Sequence, residues 1–274
     1  MALFNRYVAL DMGTEGSTGR RFTGFRVQFR VTHTRSSEPS SAVIRIYNIA
    51  ADTIALAQQP EAVIRLIAGY ETPLQVFMGS PVKNGVRVEK QGPDRILHIE
   101  AKDGGRQYKN SRINLSLATG TTLQQAVEAV QAELGLPTGV VHLGGLASLQ
   151  MSQGVVLTGP TRDVLDRLAR SLGVTWMMRD GTLVILSDDG TTGEVGPVFS
   201  PVSKNLIGSP EQTDQGIRVT ALLQPGLRPG MAFQVSGAES GNGDYNADRV
   251  EHQGDSGFDK DFYTIAEGRA RSAA

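Results

Sequence analysis

The chain has 274 residues, 39% of them hydrophobic, 20% charged and 6% aromatic, with no cysteine and a net charge of −1. That length suits two or three small domains better than one, and the apolar share is enough to bury a core and too large for a disordered chain. The missing cysteines exclude disulfides, thiolate metal sites and thiol nucleophiles together. The near-neutral total hides an asymmetry. Residues 1–112 carry 16 Lys and Arg against 10 Asp and Glu, residues 113–189 carry 4 against 7, and residues 190–274 carry 7 against 11. A basic first part can mark a nucleic-acid surface; without interleaved aromatics it equally marks contact between subunits. The stretch from Met1 to Ser17 lacks the basic start and apolar core of a signal peptide. No window approaches the ~18 consecutive apolar residues that cross a bilayer, so no membrane insertion is expected.

The first part reads as β. Phe25, Val27, Phe29 and Val31 alternate with Arg26, Gln28 and Arg30, the period of a strand with one buried face. Ala42–Tyr47 follows a Ser- and Pro-rich turn, and Asn48 is placed to cap a short helix over Ala50–Gln58. Val63–Ile67, Leu74–Met78, Gly85–Lys90 and Ile96–Ala101 supply further strands, separated by Gly, Pro, Asn and Asp. Gly13, Gly16 and Gly19 have the wrong spacing for a dinucleotide fingerprint and read as loop glycines.

The middle changes period. Thr121 or Thr122 with Gln124 or Gln125 forms a capping box, and Leu123, Ala126, Val127, Val130 and Leu134 make one helical stripe ended by Gly135. A second helix, capped by Thr161, carries Val164, Leu165, Leu168, Ala169 and Leu172 and stops at Gly173. Two strands follow, Val174–Met178 and Thr182–Leu186, turning at Asp180-Gly181, and Trp176 is read as core. After a polar link from Asp188 to Pro197, β character returns at Gly216–Leu223, Met231–Ser236 and Tyr245–Gln253. The tail Glu267–Ala274 has nothing to bury and is expected to fray.

The chemistry-bearing motifs are sparse. His252 and Asp255 stand three apart, yet a metal site needs three or four ligands, and His33, His98 and His142 fall in separate segments, so the pair reads as a structural or turn feature. No G-x-S-x-G and no G-x-x-x-x-G-K-[ST] occurs; Gly237-Ala-Glu-Ser-Gly241 is offset by one residue. Asp188-Asp189 and Asp259/Asp261 read as solvated turns. Neither an enzyme nor a cofactor is indicated. The alternatives are a β-rich enzyme or carbohydrate-binding protein with a site assembled from scattered residues, and a DNA-binding module, which the lack of a recognition helix disfavours.

The order of phrases carries more than any one of them. Ile44-Arg-Ile-Tyr-Asn-Ile49, Val63–Tyr70, Val76-Phe-Met-Gly79, Ile99-Glu-Ala-Lys-Asp-Gly104, Gly120-Thr-Thr122 and Leu165–Leu186 are followed by Leu206-Ile-Gly-Ser-Pro-Glu211, Leu222-Leu-Gln-Pro225 and Val250-Glu-His-Gln-Gly-Asp255. From about Arg26 to Thr264 this succession resembles the baseplate hub proteins of contractile-tailed phages and related tail-like particles. The resemblance implies a mainly β, α+β protein: two antiparallel tail-tube-like β-barrel domains, 1–112 and 190–274, with a small α+β domain, 113–189, between them. It implies a homotrimeric ring joining the sixfold tail tube to the threefold central spike. Its partners would be the spike, tail-tube or tube-initiator proteins and other baseplate proteins, and phage DNA would cross the channel without specific binding. The site would be the virion tail, assembled in the bacterial host cytoplasm, with no catalytic, cofactor or metal residues. Unlike charges of the first and last parts would order the ring, with Arg20 and Arg21 as candidate subunit-interface charges.

Overall fold

In the strand β1 (Tyr7–Thr14), Val8, Leu10 and Met12 turn inward, and β2 (Arg20–Thr23) returns antiparallel with Arg20 opposite Met12. The structure is a computed structural model that describes residues 6–14, 16–17, 19–103, 111–134, 141–257 and 261–271. Gly13 and Gly19, read from sequence as loop glycines, belong to this hairpin; a Cβ on Gly13 would sit 2.8 Å from the Cα of Gly19.

The first part continues with β3 (Val27–Thr34), β4 (Ser41–Tyr47), α1 (Ala51–Ala57), β5 (Ala62–Gly69), β6 (Leu74–Gln91) and β7 (Asp94–Lys102). Asn48 does not cap α1. It holds a left-handed φ of 58° and donates to Asp94 Oδ1 at 2.7 Å, while Asp52 Oδ1, inside the first turn, accepts from the Thr53 amide. The two strands expected at 74–78 and 85–90 are one strand, β6. A bulge between Pro81 and Val86 bends it, so that its first half pairs with β5 and its second half with β7. A bent strand lets one chain segment serve two packed sheets. Between those sheets lie Leu10, Met12, Leu66, Phe77, Phe29, Ile44, Leu97 and Ile99, all at most 4% exposed.

The middle holds β8 (Arg112–Leu117), α2 (Leu123–Leu134), β9 (Val141–His142), a 3-10 turn (Gly144–Leu146), β10 (Val155–Pro160), α3 (Thr161–Leu172), β11 (Val174–Arg179) and β12 (Thr182–Ser187). The capping box is present in Thr122 and Gln125: each backbone amide donates to the other's side chain, at 3.0 and 3.2 Å. Gly135 lies outside the described residues. Thr161 is not a cap; it is the first helical residue, buried, and its hydroxyl has no partner. Gly173 ends α3 in the left-handed region, and Asp180-Gly181, with φ of 50° and 81°, turns the β11–β12 hairpin. Leu123, Val127, Val164, Leu165, Trp176 and Ile185 form this part's own core.

The last part adds β13 (Val195–Phe199), β14 (Leu206–Thr213), β15 (Gly216–Leu222), β16 (Ala232–Val235), β17 (Gly243–Asp255) and β18 (Phe262–Ala270). Residues 267–270, expected to fray, are strand: β18 lies between β15 and β17, with Phe262, Thr264 and Ala266 at most 1% exposed. After Phe262 the inward residues, Thr264, Ala266 and Gly268, are small, which is why they look unlike a core strand in sequence. Residues 272–274 lie outside the described residues.

The protein is mainly β, with almost every strand pair antiparallel; β9·β12 and β13·β16 are parallel. Eight strands run side by side in the order β14-β15-β18-β17-β3-β4-β7-β6, and the path continues through β5 and β1 to β2. The joint between first and last parts is the β17·β3 ladder, regular from Arg249–Thr34 to Asp255–Gln28. Among the described residues no ring of strand pairings closes and no closed barrel is found; the strands of the first and last parts join in one continuous path. At the joint a Cβ on Gly254 would meet the Phe262 and Phe29 rings at 2.6 and 2.7 Å, so only glycine lets those two rings meet edge to face.

Candidate functional site

The sequence Gln224-Pro-Gly-Leu-Arg-Pro-Gly230 makes two turns, with Leu227 donating to Gln224 and Met231 to Arg228 through the backbone. Between its two prolines the loop drives Arg228 inward until only 4% of it is exposed. A buried guanidinium needs acceptors. It donates to the carbonyls of Pro225 (2.7 Å) and Leu227 (3.0 Å) in its own loop, and to those of Val76 (3.2 Å) and Gln75 in β6. Its Nε stands 3.9 Å from Asp180 Oδ2, at the tip of the β11–β12 hairpin. Burial pulls the Arg228 pKa down, and Asp180 counters that.

Asp180 is itself tied down. Its Oδ1 accepts from Gln75 Nε2 at 2.9 Å, and its amide donates to Asp103 Oδ2 at 2.9 Å. Next to Arg228 lie two buried imidazoles, His33 and His252, edge to face at 5.7 Å. Each accepts a hydroxyl hydrogen bond at Nδ1, from Ser40 and Thr264, and faces a carbonyl with Nε2, Val76 at 3.0 Å and Leu227 at 3.2 Å. That pattern fits neutral rings with the proton on Nε2. Burial, reinforced by the Arg228 charge, pulls His252 down to about 3 and His33 well below its ordinary value.

His252 and Asp255 therefore do not act together: three positions apart on β17, they face opposite sides of the sheet. Asp255 accepts from Arg26 (2.7 Å), Gln28 (2.8 Å) and the Gly257 amide (2.8 Å), and Arg26 in turn lies over the Tyr47 ring at 4.7 Å. Among the described residues no group of three or more His, Asp or Glu is arranged to hold a metal ion. Trp176 is core, 3% exposed, with its indole donating to Asp166. Asp188, Asp189 and Asp261 are exposed, while Asp259 lies outside the described residues.

The outer face of the long sheet has a different chemistry. Arg30 meets Glu251 at 3.2 Å and Arg87 meets Glu100 at 2.8 Å and Glu89 at 3.0 Å, with Arg249–Glu251 and Arg218–Glu267 completing a lattice of opposite charges. Arg20 and Arg21 lie on β2, at the end of the pairing path. Their side chains are 59% and 52% exposed, yet each already has a partner in its own chain: Arg20 with Asp52, and Arg21 with Asp11, which Arg65 shares.

Sequence reading missed the buried junction. Arg228 stood inside what looked like an ordinary turn, and its partners outside that loop come from residues 75–76 and 180. Only the position of an arginine between Leu227 and Pro229, in an otherwise uncharged loop, hinted at burial.

The long antiparallel sheet with an α+β part mounted on it is a fold shared with solved phage-tail proteins. The 43 kDa tail protein of prophage MuSo2 from Shewanella oneidensis matches with a TM-score of 0.64 at 11% identity, over 97% of this chain and 99% of that one. A tail protein from Neisseria meningitidis gives 0.64 at 13% identity over 96% of both chains. The E. coli c3393 protein, a component of the type VI secretion system, gives 0.62 at 13% identity over 95% of this chain and 77% of that one. At such identities these likenesses establish the fold alone. No curated protein matches the sequence. The family is settled by its own sequence pattern: residues 26–268 match that of Baseplate hub gp41, and the chain belongs to this family of phage tail structural proteins.

Proposed function

We propose that the chain is the hub of a contractile-tail baseplate. Three copies form a ring that joins the sixfold tail tube to the threefold central spike and surrounds the DNA channel. The observation that carries this reading is a repeat in the sheet. In β3-β4-β7-β6 and in β14-β15-β18-β17 the chain visits four antiparallel strands in the same spatial order, first, second, fourth, third. Two like units per chain turn three copies into six, the arithmetic needed between threefold and sixfold partners. In this reading residues 1–112 and 190–274 are the two tube-like units and residues 113–189 the α+β part between them.

The ends of the eight-strand run suit a ring. Among the described residues β14 pairs only with β15, and Arg87–Gln91 of β6 pair with β7 along one edge and are exposed. The internal β17·β3 joint, third strand of one unit beside first strand of the other, is the pattern for β6 of one copy beside β14 of the next. Opposite charges on the sheet's outer face neutralise one another, a character suited to letting a polyanion pass without holding it. Arg20 and Arg21 remain candidate interface charges on the exposed strand β2. Spike, tube or tube-initiator and other baseplate proteins are the partners. The place of action is the virion tail after assembly in the host cytoplasm, with a structural and not a catalytic role.

Because the chain has no cysteine, disulfide trapping tests the ring cleanly. The double variant Val88→Cys with Leu206→Cys, oxidised in assembled particles, should give a ladder ending at three chains of 29.3 kDa, or 87.9 kDa. Each single variant should give no ladder. A ladder that stops at two chains or runs past three contradicts the trimer.

A further inference from the structure

Elements of all three parts of the chain meet at Arg228. The first reaches it through β6 and His33 of β3, the last through the 223–231 loop and His252 of β17, and the middle through the Asp180 turn. The β11–β12 hairpin shows the same two-sidedness. Trp176, Met178, Leu183 and Ile185 face the helices, whereas Met177, Val184 and Leu186 form a separate small cluster on the other side. A Cβ on Gly230 would come 2.7 Å from Leu186 Cδ1 and 3.0 Å from Met177 Cε, which places that second cluster against the Arg228 loop.

The hairpin is fixed at both ends. At its base the Arg35 side chain, 2% exposed, donates to the carbonyls of Ser187 at 2.6 Å and Asp188 at 2.9 Å, and the Thr192 amide donates to Gly230. At its tip stand Asp180, Gln75, Asp103 and Arg228. An apolar side chain of equal volume could fill the space of Arg228. It would leave the carbonyls of Gln75 and Val76 in β6, and of Pro225 and Leu227 in the loop, without this donor.

We propose that Arg228 is a keystone: its guanidinium binds the start of β6, the 223–231 loop and the Asp180 turn into one junction, so that the α+β part moves with the long sheet and not upon it. A force or contact received by the α+β part then reaches both β units through the hairpin.

Hydrogen exchange on the full chain tests this. In Arg228→Met the amides of Asp180, Thr192, Leu227 and Gly230 should exchange at least ~10-fold faster, while those of α2 and of the β4·β7 ladder keep their rates. Arg228→Lys, a point charge without the guanidinium fork, should fall between the two. Acceleration confined to Leu227 and Gly230 would make Arg228 a staple of its own loop and overturn the proposal, as would a uniform acceleration or none. Should Arg228→Met fail to fold, Asp180→Ala approaches the junction from the exposed side. It should speed Asp180 and Thr192 and spare Leu227; unchanged rates at Asp180 and Thr192 would also overturn the proposal.

Discussion

The two charged regions of this molecule use the same residue types to opposite effect. On the outer face of the long sheet, arginines and glutamates alternate across strands in reach of water. At the junction a single arginine and two histidines lie buried, and the acceptors are mostly backbone carbonyls. Exposed pairs gain little because solvent and salt screen them and flexible side chains lose entropy. A buried donor is different, since removing it takes a partner from acceptors that water cannot reach. The outer lattice therefore sets the character of a surface, and the junction sets the relation between parts of the fold.

Breaking each region in turn should display that contrast. Replacing Arg228 with leucine should cost about 3–5 kcal/mol in urea unfolding, because four carbonyls lose this donor together. Leu66→Ala, in the middle of the first cluster and 0% exposed, should cost about 2–5 kcal/mol by loss of burial and a residual cavity. It should leave the exchange rate of the Asp180 amide unchanged relative to its neighbours, which separates packing loss from junction loss.

The histidines sharpen the comparison through pH. Both folded-state values lie below the ordinary value near 6.5, His252 at about 3. From pH 6.5 down to about 3 the unfolded chain binds more protons than the folded one, so stability falls as pH falls. The slope should be at most about 1.4 kcal/mol per pH unit for each ring. His252→Gln should remove one ring's share of that slope in a series of unfolding curves between pH 7 and 4. At the small end, Arg30→Ala should change stability by less than about 1 kcal/mol; a larger loss would mean the outer lattice is structural after all.

What sequence could reveal follows from range. The capping box of Thr122 and Gln125, the stop at Gly173 and the Asp180-Gly181 turn are local, each decided within a few residues, and all were legible. Asn48 and Thr161 misled as caps because the same residue types serve turns and first helical positions, and only backbone geometry separates them. β18 was hidden because its inward Thr264, Ala266 and Gly268 are small where neighbours crowd them. β6 was split in two by residues that make a bulge. The junction at Arg228 was illegible for a deeper reason: residues 33, 75, 180, 228 and 252 share no pattern until the chain is folded. The hub family, by contrast, was visible in the order of its phrases.

Electron microscopy of the native particle tests the central claim most directly. The account predicts three copies of this chain around the tail axis at the junction of tube and spike, each contributing two β units to a ring of six. Two or six copies in that ring, or a place away from the junction of tube and spike, would contradict it.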